Sequence, residues 1–423
     1  MSSLGGSMNI AVTALQSQSA AVSTISNNLA NSETVGYKTT SASFYTLVTG
    51  SGSTSNFTGA GTIATPTQNI SLQGQLVSSD VATSLAIDGN GFFVVTASPD
   101  SDVLLYTRAG DFTTDADGDL VNSNGFYLQG YRTDQDGNLV SGTGSASLET
   151  INIGELSGTA VATSELALQA NLPATAEIGD SFSVSTEIYD SLGVAHSLSI
   201  TYEKTAANSW TMTVSDPTQV ASGTVSGTAS GGGTITFNED GTFASSVPDP
   251  LDITITDWTT GAADSDIAFD AGTADRADGL TQYAPSSSDS IEIEVSEIEQ
   301  DGVPYGDFES VEIDESGLVI ANFSNGISYP IYQIPLATFA NSDGLEAKSG
   351  NVYATTNESG SATLVLPGTG GAGSVFSNAL ESSTVDTADE FTNLIRAQQA
   401  YSAAAEIIST VQDMFDTLIR AKS

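Results

Sequence analysis

Two stretches of helical apolar spacing bracket a long middle in which the period switches to two, and this switch constrains the fold more than any other feature of the sequence. In MNIAVTALQSQSAAVSTISNNLAN (8–31), Met8, Leu15, Val22 and Leu29 fall seven apart, with Ala11, Gln18 and Ile25 at intervening positions. That spacing predicts a helix with a heptad seam. Toward the other end, Leu394, Tyr401, Ile408 and Phe415 repeat by seven. They are flanked by Ala397, Ala404, Val411 and Leu418, and by Phe391, Ala405 and Ile419. Asp386 or Thr387 is placed to cap this second helix. Asp389 and Glu390 stand in its first turn, and Arg420 and Lys422 in its last, where each sign of charge opposes the helix dipole.

Ordinary amphipathic helices packed on a globular core present charged outer faces. Here the outer faces are Ser, Thr, Gln and Ala, so neither face is adapted to bulk water. Loose segments, GSGSTSNFTGAGT (50–62) and PGTGGAGS (367–374), separate both helices from the middle. Helices attached in this way are expected to order on meeting partners, and further copies of the chain are the simplest partners.

Charge follows the same division. The 423 residues hold 51 Asp+Glu and 9 Lys+Arg, a formal charge of −42. Residues 1–70 carry only Glu33 and Lys38; residues 381–423 carry a net −4, leaving −38 between 71 and 380. Capture of nucleic acid or of anionic lipid needs clustered Lys and Arg, so neither is an expected partner. Zero cysteines exclude a disulfide scaffold, a thiolate metal site and a cysteine nucleophile, and the single His196 cannot build a multi-histidine metal site. Residues 1–30 lack a basic n-region and an apolar run, and no stretch of 18 apolar residues occurs anywhere. Neither a cleaved export signal nor membrane insertion is expected.

From about 71 to 360 the pattern reads as short strands with turn punctuation. SLAIDGNGFFVV places Leu85 and Ile87 before a DGNG turn (88–91) and Phe93 and Val95 after it, a hairpin signature. Further turns fall at 117–118, 124–125 and 136–137. IEIEVSEIE (291–299) alternates Ile291, Ile293 and Val295 with Glu292 and Glu294 on the solvent side. Residues 146–284 have their own vocabulary, with SFSVSTEIYDSLGVAHSLSITYEK reading as strand, turn (190–193), strand. The predicted fold is multidomain and mainly β, with one β domain inserted in another and long, heptad-patterned, coiled-coil-like terminal helices, whose pairing as an inner layer is what the resemblance described below implies. The expected divisions are a discontinuous helical domain (1–32, 381–423), linkers (33–70, 361–380), a discontinuous inner β domain (71–145, 285–360) and an outer β domain (146–284).

No motif supports catalysis. Gly368, Gly370 and Gly373 spell GxGxxG, but Pro367 precedes them and no βαβ pattern surrounds them, so they read as linker. DADGD (115–119) has its glycine in fourth place, where an EF-hand needs it sixth, and reads as a turn. No GxSxG elbow accompanies His196, which reads as a strand residue making one hydrogen bond. An enzyme, a cofactor and a metal are therefore not expected.

Several dense motifs in order carry a resemblance. ISNNLANSETVGYK (25–38) is similar to a family signature in Asn27, Asn28, Ala30, Asn31, Gly36, Tyr37 and Lys38. AIDGNGFFVV (86–95), YTRAGDF (106–112), GFYLQGY (125–131), DGLEAKSGNVYATTNESG (343–360) and LESSTVDTADEFTNLIRAQQAYSAAAEIISTVQDMFDTLI (380–419) continue it. Together they resemble the axial rod and hook family of the bacterial flagellum. EIYDSLGVAHSLSITYEK and the long 146–284 insert are similar to hook proteins rather than to distal-rod subunits. The chain departs from the family with Ser-Thr-Val-Asp at 383–386, where Ser-Asn-Val-Asp is common, and with SAAAE after AQQAY.

The resemblance implies a structural subunit of an extracellular, flexible, curved tube that transmits torque from rod to filament. It implies terminal helices as an inner layer around a central export channel, with an interface built from Met8, Leu15, Val22, Ile25, Leu29, Phe391, Leu394, Tyr401, Ile408, Val411, Phe415 and Leu418. It implies rod, hook-cap and hook–filament junction proteins as partners, and export by a type III apparatus. A distal-rod-type protein, or a secreted β-rich adhesin or fibre protein, is the alternative reading.

Overall fold

The computed structural model describes residues 2–48, 59–154, 156–285 and 291–422. It is mainly β, with α1 (Ser2–Ala30) and α2 (Thr387–Lys422) toward the two ends. No helix among the described residues is long and apolar enough to cross a membrane. The chain divides into two compact units: unit 1 is residues 1–155, 311–321 and 329–423, and unit 2 is residues 156–310 and 322–328.

In unit 1, α1 and α2 lie against each other. The cap of α2 is Asp386, whose Oδ1 accepts the Ala388 and Asp389 amides at 2.9 and 3.2 Å. Two of the amides orphaned at the helix start are thereby satisfied. α1 ends where the Asn31 amide reaches the carbonyls of Asn27 and Asn28 and the chain turns away through Ser32–Thr34.

The segment expected as a linker at 33–70 holds an antiparallel hairpin of β1 (Thr40–Val48) and β2 (Gly59–Gln68), in register from Thr40↔Gln68 to Leu47↔Gly61. Phe44, Tyr45, Leu47 and Ile63 supply the β propensity that the Ser/Thr/Gly content masks. The hairpin docks on α1, where Ser17 donates to the Thr62 carbonyl at 2.9 Å. Residues 50–58 of the expected loose segment lie outside the described residues. The expected linker at 361–380 also contains strands, Thr363–Val365 and Ser374–Ser377. Its GxGxxG is a tight turn in which the Gly368 amide bonds the Gly373 carbonyl at 2.9 Å.

The AIDGNGFFVV hairpin expected from sequence is not formed. Leu85–Asp88 pairs with Ser374–Ser377, whereas Phe92–Thr96 pairs with Leu105–Thr107, Tyr127–Arg132 and Leu336–Thr338. A distant strand outcompetes the local one because Gly373 packs directly on the Asp88–Gly89 backbone, where a Cβ would stand 2.0 Å from the Asp88 carbonyl oxygen. Phe92, Val94, Tyr106, Ala337 and Tyr353 form the core beside these strands, and Phe339 meets the Tyr106 ring edge-on at 4.9 Å.

Unit 2 is an antiparallel succession in the order Ser181–Tyr189, Ala195–Ala206, Ser209–Val214, Thr228–Phe237, Leu251–Thr256, Ser265–Asp270. Leu166–Asn171 region pairing closes it: Glu165–Asn171 runs parallel to Ser265–Asp270 and antiparallel to Glu294–Gln300. Strict alternation places Leu198, Ile200, Tyr202, Ile253, Ile255 and Ile267 in one core with Trp210. Residues 294–306 group with this unit, beyond the 146–284 span expected of the outer domain, because their pairing partners are Leu166–Asn171 and Thr159–Val161. Their alternation does not produce a buried face either. The register shifts between Gln169 and Ala170, and Val295 and Ile298 both stay exposed on an outer strand.

Acidic residues shape the turns. Asp115 Oδ1 accepts the amides of Asp117 and Asp119 at 3.0 and 2.9 Å, so DADGD is a turn stabilised by its own first carboxylate. Asp134 does the same for Asp136 and Asn138, and Asp190 for Leu192 and Val194.

Candidate functional site

Two features of unit 1 have the character of a site: the outer surface of the helix pair, and a buried polar anchor at its base. Few apolar side chains of the two helices are fully buried. Ala11, Ala21 and Ile25 of α1 and Ala397, Ala404 and Val411 of α2 are buried. Of the residues expected at an interface, only Ile25 and Val411 are among them. Met8, Leu15, Val22, Leu29, Leu394, Ile408 and Phe415 are half-buried, and Phe391 and Tyr401 are exposed. The Leu418 side chain lies outside the described residues.

The seven-residue repeat thus carries two sets of positions: Ala397, Ala404 and Val411 turn inward, while the larger members flank the seam. Burying a Leu, Ile or Phe side chain contributes about 1.5–3 kcal/mol, but an alanine methyl only about 0.8 kcal/mol. Part of the apolar potential of these helices is therefore unspent within the chain. Ile395, Ile407, Met414 and Ile419 are exposed as well, as are Phe44, Tyr45, Leu47 and Ile63 of the hairpin.

The anchor is built from the 25–38 motif. Asn28 is 1% exposed and satisfies four partners. Its Nδ2 donates to the Thr40 carbonyl and to Glu390 Oε1, both at 2.7 Å; its Oδ1 accepts the Thr40 amide at 3.0 Å and the Tyr37 hydroxyl at 3.2 Å. Asn27 donates to the Tyr37 hydroxyl at 3.3 Å, and Asn31 donates to the Asn27 carbonyl at 2.8 Å. Ala30 is exposed on the last turn of α1. Gly36 has φ +65 and lies against the backbone of Arg108 and Ala109, where a Cβ would be 2.7 Å from the Ala109 nitrogen. A side chain there is excluded by both conformation and space.

Lys38 and Glu381 are fully buried and paired at 2.5 Å. Arg108, also buried, bonds the other Glu381 oxygen at 3.0 Å and the Gly89 carbonyl at 2.7 Å. Lys38 additionally donates to the Leu72 carbonyl, and the Gly74 amide donates to Glu381 Oε1 at 2.7 Å. Burial holds the Lys38 ammonium and the Arg108 guanidinium below their ordinary pKa values, against the opposing pull of Glu381. Burial likewise pushes the Tyr37 hydroxyl up.

Sequence reasoning found Asn28, Gly36, Tyr37 and Lys38 as motif positions but missed Arg108, Glu381, Thr384 and Glu390, which complete the anchor. One signal was available: Lys38 is the only base in residues 1–70, an outlier in an uncharged segment. Its partner lies 343 positions away, beyond the reach of any local pattern.

In unit 2, His196 makes two hydrogen bonds rather than the one expected: to Ser226 Oγ at 2.7 Å and to Asp190 Oδ2 at 3.1 Å. Trp258 lies beside its ring at 4.3 Å. Serine, histidine and aspartate are fully or almost fully buried, so the arrangement ties strands and turns together and offers no face to a substrate. Among the described residues no group of His, Cys, Asp and Glu is placed to hold a metal.

Four family models match the chain: "Flagella basal body rod protein" over 8–38, "Flagellar hook protein FlgE/F/G D1 domain" over 86–171, "Flagellar basal body protein FlaE D2 domain" over 160–303, and "Flagellar basal body rod FlgEFG protein C-terminal" over 377–421. Motif anchor, β units and terminal helices together define a rod- or hook-class axial protein of the flagellum. The flagellar hook protein FlgE of Rhizobium meliloti (strain 1021) is 33% identical over 99% of this chain and 100% of its own length. That of Escherichia coli (strain K12) is 31% identical over 97% and 99%. The chain belongs to the flagellar hook protein FlgE family, and is a structural protein of the extracellular flagellar hook. A solved structure, the Helicobacter pylori flagellar hook protein FlgE2, aligns over 72% of this chain and all of its own, with 16% identity and a TM-score of 0.42.

Proposed function

We propose that this hook subunit self-assembles into a curved, flexible tubular polymer that works as a universal joint, passing torque from rod to filament while enclosing the export channel. The observation that carries the reading is the uncovered apolar surface of the helix pair. Ile395, Ile407, Met414 and Ile419 face solvent in the single chain together with Phe391 and Tyr401, while the other flanking heptad residues are only half-buried. Neighbouring copies would cover Met8, Leu15, Val22, Leu29, Phe391, Leu394, Tyr401, Ile408 and Phe415, adding to Ile25 and Val411 of the seam. In this reading the terminal helices form the innermost layer around the channel, and the role is mechanical rather than enzymatic. Rod, hook-cap and junction proteins would meet the two ends of the tube, and the chain would arrive through a type III apparatus.

Interlocked apolar packing has discrete minima and resists sliding, whereas wet polar contacts are remade at small cost. Cohesion therefore belongs to the helices, and sliding during rotation to the acidic β surfaces. Deleting residues 1–29 or 391–423 is expected to abolish tubes seen by electron microscopy and leave unit 2 folded by circular dichroism. Tubes of normal calibre from either truncated chain would refute the inner-layer role.

A further inference from the structure

We propose that the Lys38–Glu381–Arg108 cluster is a closure lock: the segment joining α1 to the β part of unit 1 takes its final structure only when the segment leading into α2 docks on it. Three stretches of chain converge on one carboxylate. Glu381 receives Lys38, Arg108 and the Gly74 amide through its side chain, while its backbone carbonyl accepts the Gly36 amide at 2.7 Å. Just beyond it, Thr384 Oγ1 accepts the Thr39 amide at 2.8 Å and the Thr384 amide donates to the Tyr37 carbonyl at 3.1 Å.

The charge count makes the dependence one-sided. Without Glu381 the site holds two buried cations and no anion, and Arg108 acts on Lys38 repulsively. Backbone carbonyls of Leu72, Ile87 and Gly89 solvate these cations but cannot neutralise them. A buried charge that loses its counter-ion is among the most destabilising arrangements in a protein, so Lys38 and Arg108 cannot both stay buried until Glu381 arrives. The Gly36 turn rests on the Arg108–Ala109 backbone and is held by the Glu381 carbonyl, so it waits on the same event. Once closed, the lock fixes the base of both helices to the body. The short junctions at 33–39 and 381–384 are thereby held stiffly.

Its mechanical consequence rests on the hook reading, but its test does not, because it uses the full-length chain in solution before any polymer forms. Hydrogen exchange of Glu381→Gln is expected to rise roughly a hundredfold at Gly36, Tyr37, Thr39 and Gly74, matching loss of a buried counter-ion. Exchange in Phe92–Thr96 and in the unit 2 strand Ala195–Ala206 is expected to stay at wild-type rates. Lys38→Met in the Glu381→Gln background removes one excess cation and is expected to recover at least about tenfold of that protection. Unchanged exchange at Gly36 and Gly74, a rise spread evenly over all of unit 1, or no recovery in the double variant would each overturn the proposal. If Glu381→Gln does not fold, the protection map is read on Lys38→Gln, which leaves Arg108 balanced by Glu381: exchange at Gly36 and Gly74 is expected to stay within about tenfold of wild type, and a rise of about a hundredfold there would overturn the charge account.

Discussion

Asn28 Nδ2 donates to Glu390 Oε1 at 2.7 Å, joining the last turn of α1 to the first turn of α2 across 362 positions of sequence. The same amide closes on both backbone groups of Thr40, so one side chain fixes helix, helix and hairpin. An aspartate at this position would set a second carboxylate against Glu390 and lose the donor to Thr40. Asn28→Asp is expected to lower unfolding stability of unit 1 by about 3 kcal/mol. Adding Glu390→Gln should return part of that loss, and urea unfolding of the single and double variants measures both.

The division of the heptads into an inward seam and an outward flank separates folding from assembly. Enlarging the seam with Ala404→Leu overpacks the helix pair, with an expected cost of about 1–3 kcal/mol in the monomer. Ile395→Ser, at a residue 55% exposed, should change monomer stability by less than about 0.5 kcal/mol yet block polymer growth. Thermal unfolding beside sedimentation of the polymer distinguishes the two effects.

Acid sensitivity of unit 2 has an identifiable contributor in Asp190. Burial pushes its carboxyl up, but hydrogen bonds from Thr260, Val194, His196 and Leu192 together bring it below the ordinary 3.8. Folding therefore favours the ionised form. The stability this adds is complete above pH 3.8 and is lost as pH falls through the lowered folded value. Asp190→Asn should be less stable than wild type at neutral pH and show a shallower further decline on acidification. Equal slopes in unfolding experiments below pH 5 would remove Asp190 from the account.

Self-repulsion from a net charge of −42 should also be measurable. Raising salt from about 0.01 to about 0.15 M shortens the screening length from about 30 to about 8 Å. The unfolding midpoint of the monomer is expected to rise over that range. A flat response would mean that the acids are already spaced widely enough, or consumed locally in turns such as those of Asp115, Asp134 and Asp190.

Local chemistry made part of this fold legible in advance. Period-seven spacing marks α1 and α2, because a helix places every seventh residue on nearly the same face whatever surrounds it. The D-x-x-G turns are equally local, since carboxylate, glycine and the bonded amides lie within five residues. So is the Ser181–Ala206 hairpin, whose strands need only a short turn to meet. The partition of charge, with neutral or nearly neutral ends and an acidic middle, could be counted directly.

Tertiary structure decided which of several locally equivalent options was used. It selected the alanines of the heptads for the seam and left Phe391 and Tyr401 outside, because fit between two helix surfaces depends on both at once. It gave Leu85–Asp88 a partner from near the other end of the chain instead of its neighbour Phe92–Thr96. Above all it brought Glu381 to Lys38 and Arg108, an encounter that no spacing encodes, because burying a charge depends on what the whole fold places beside it.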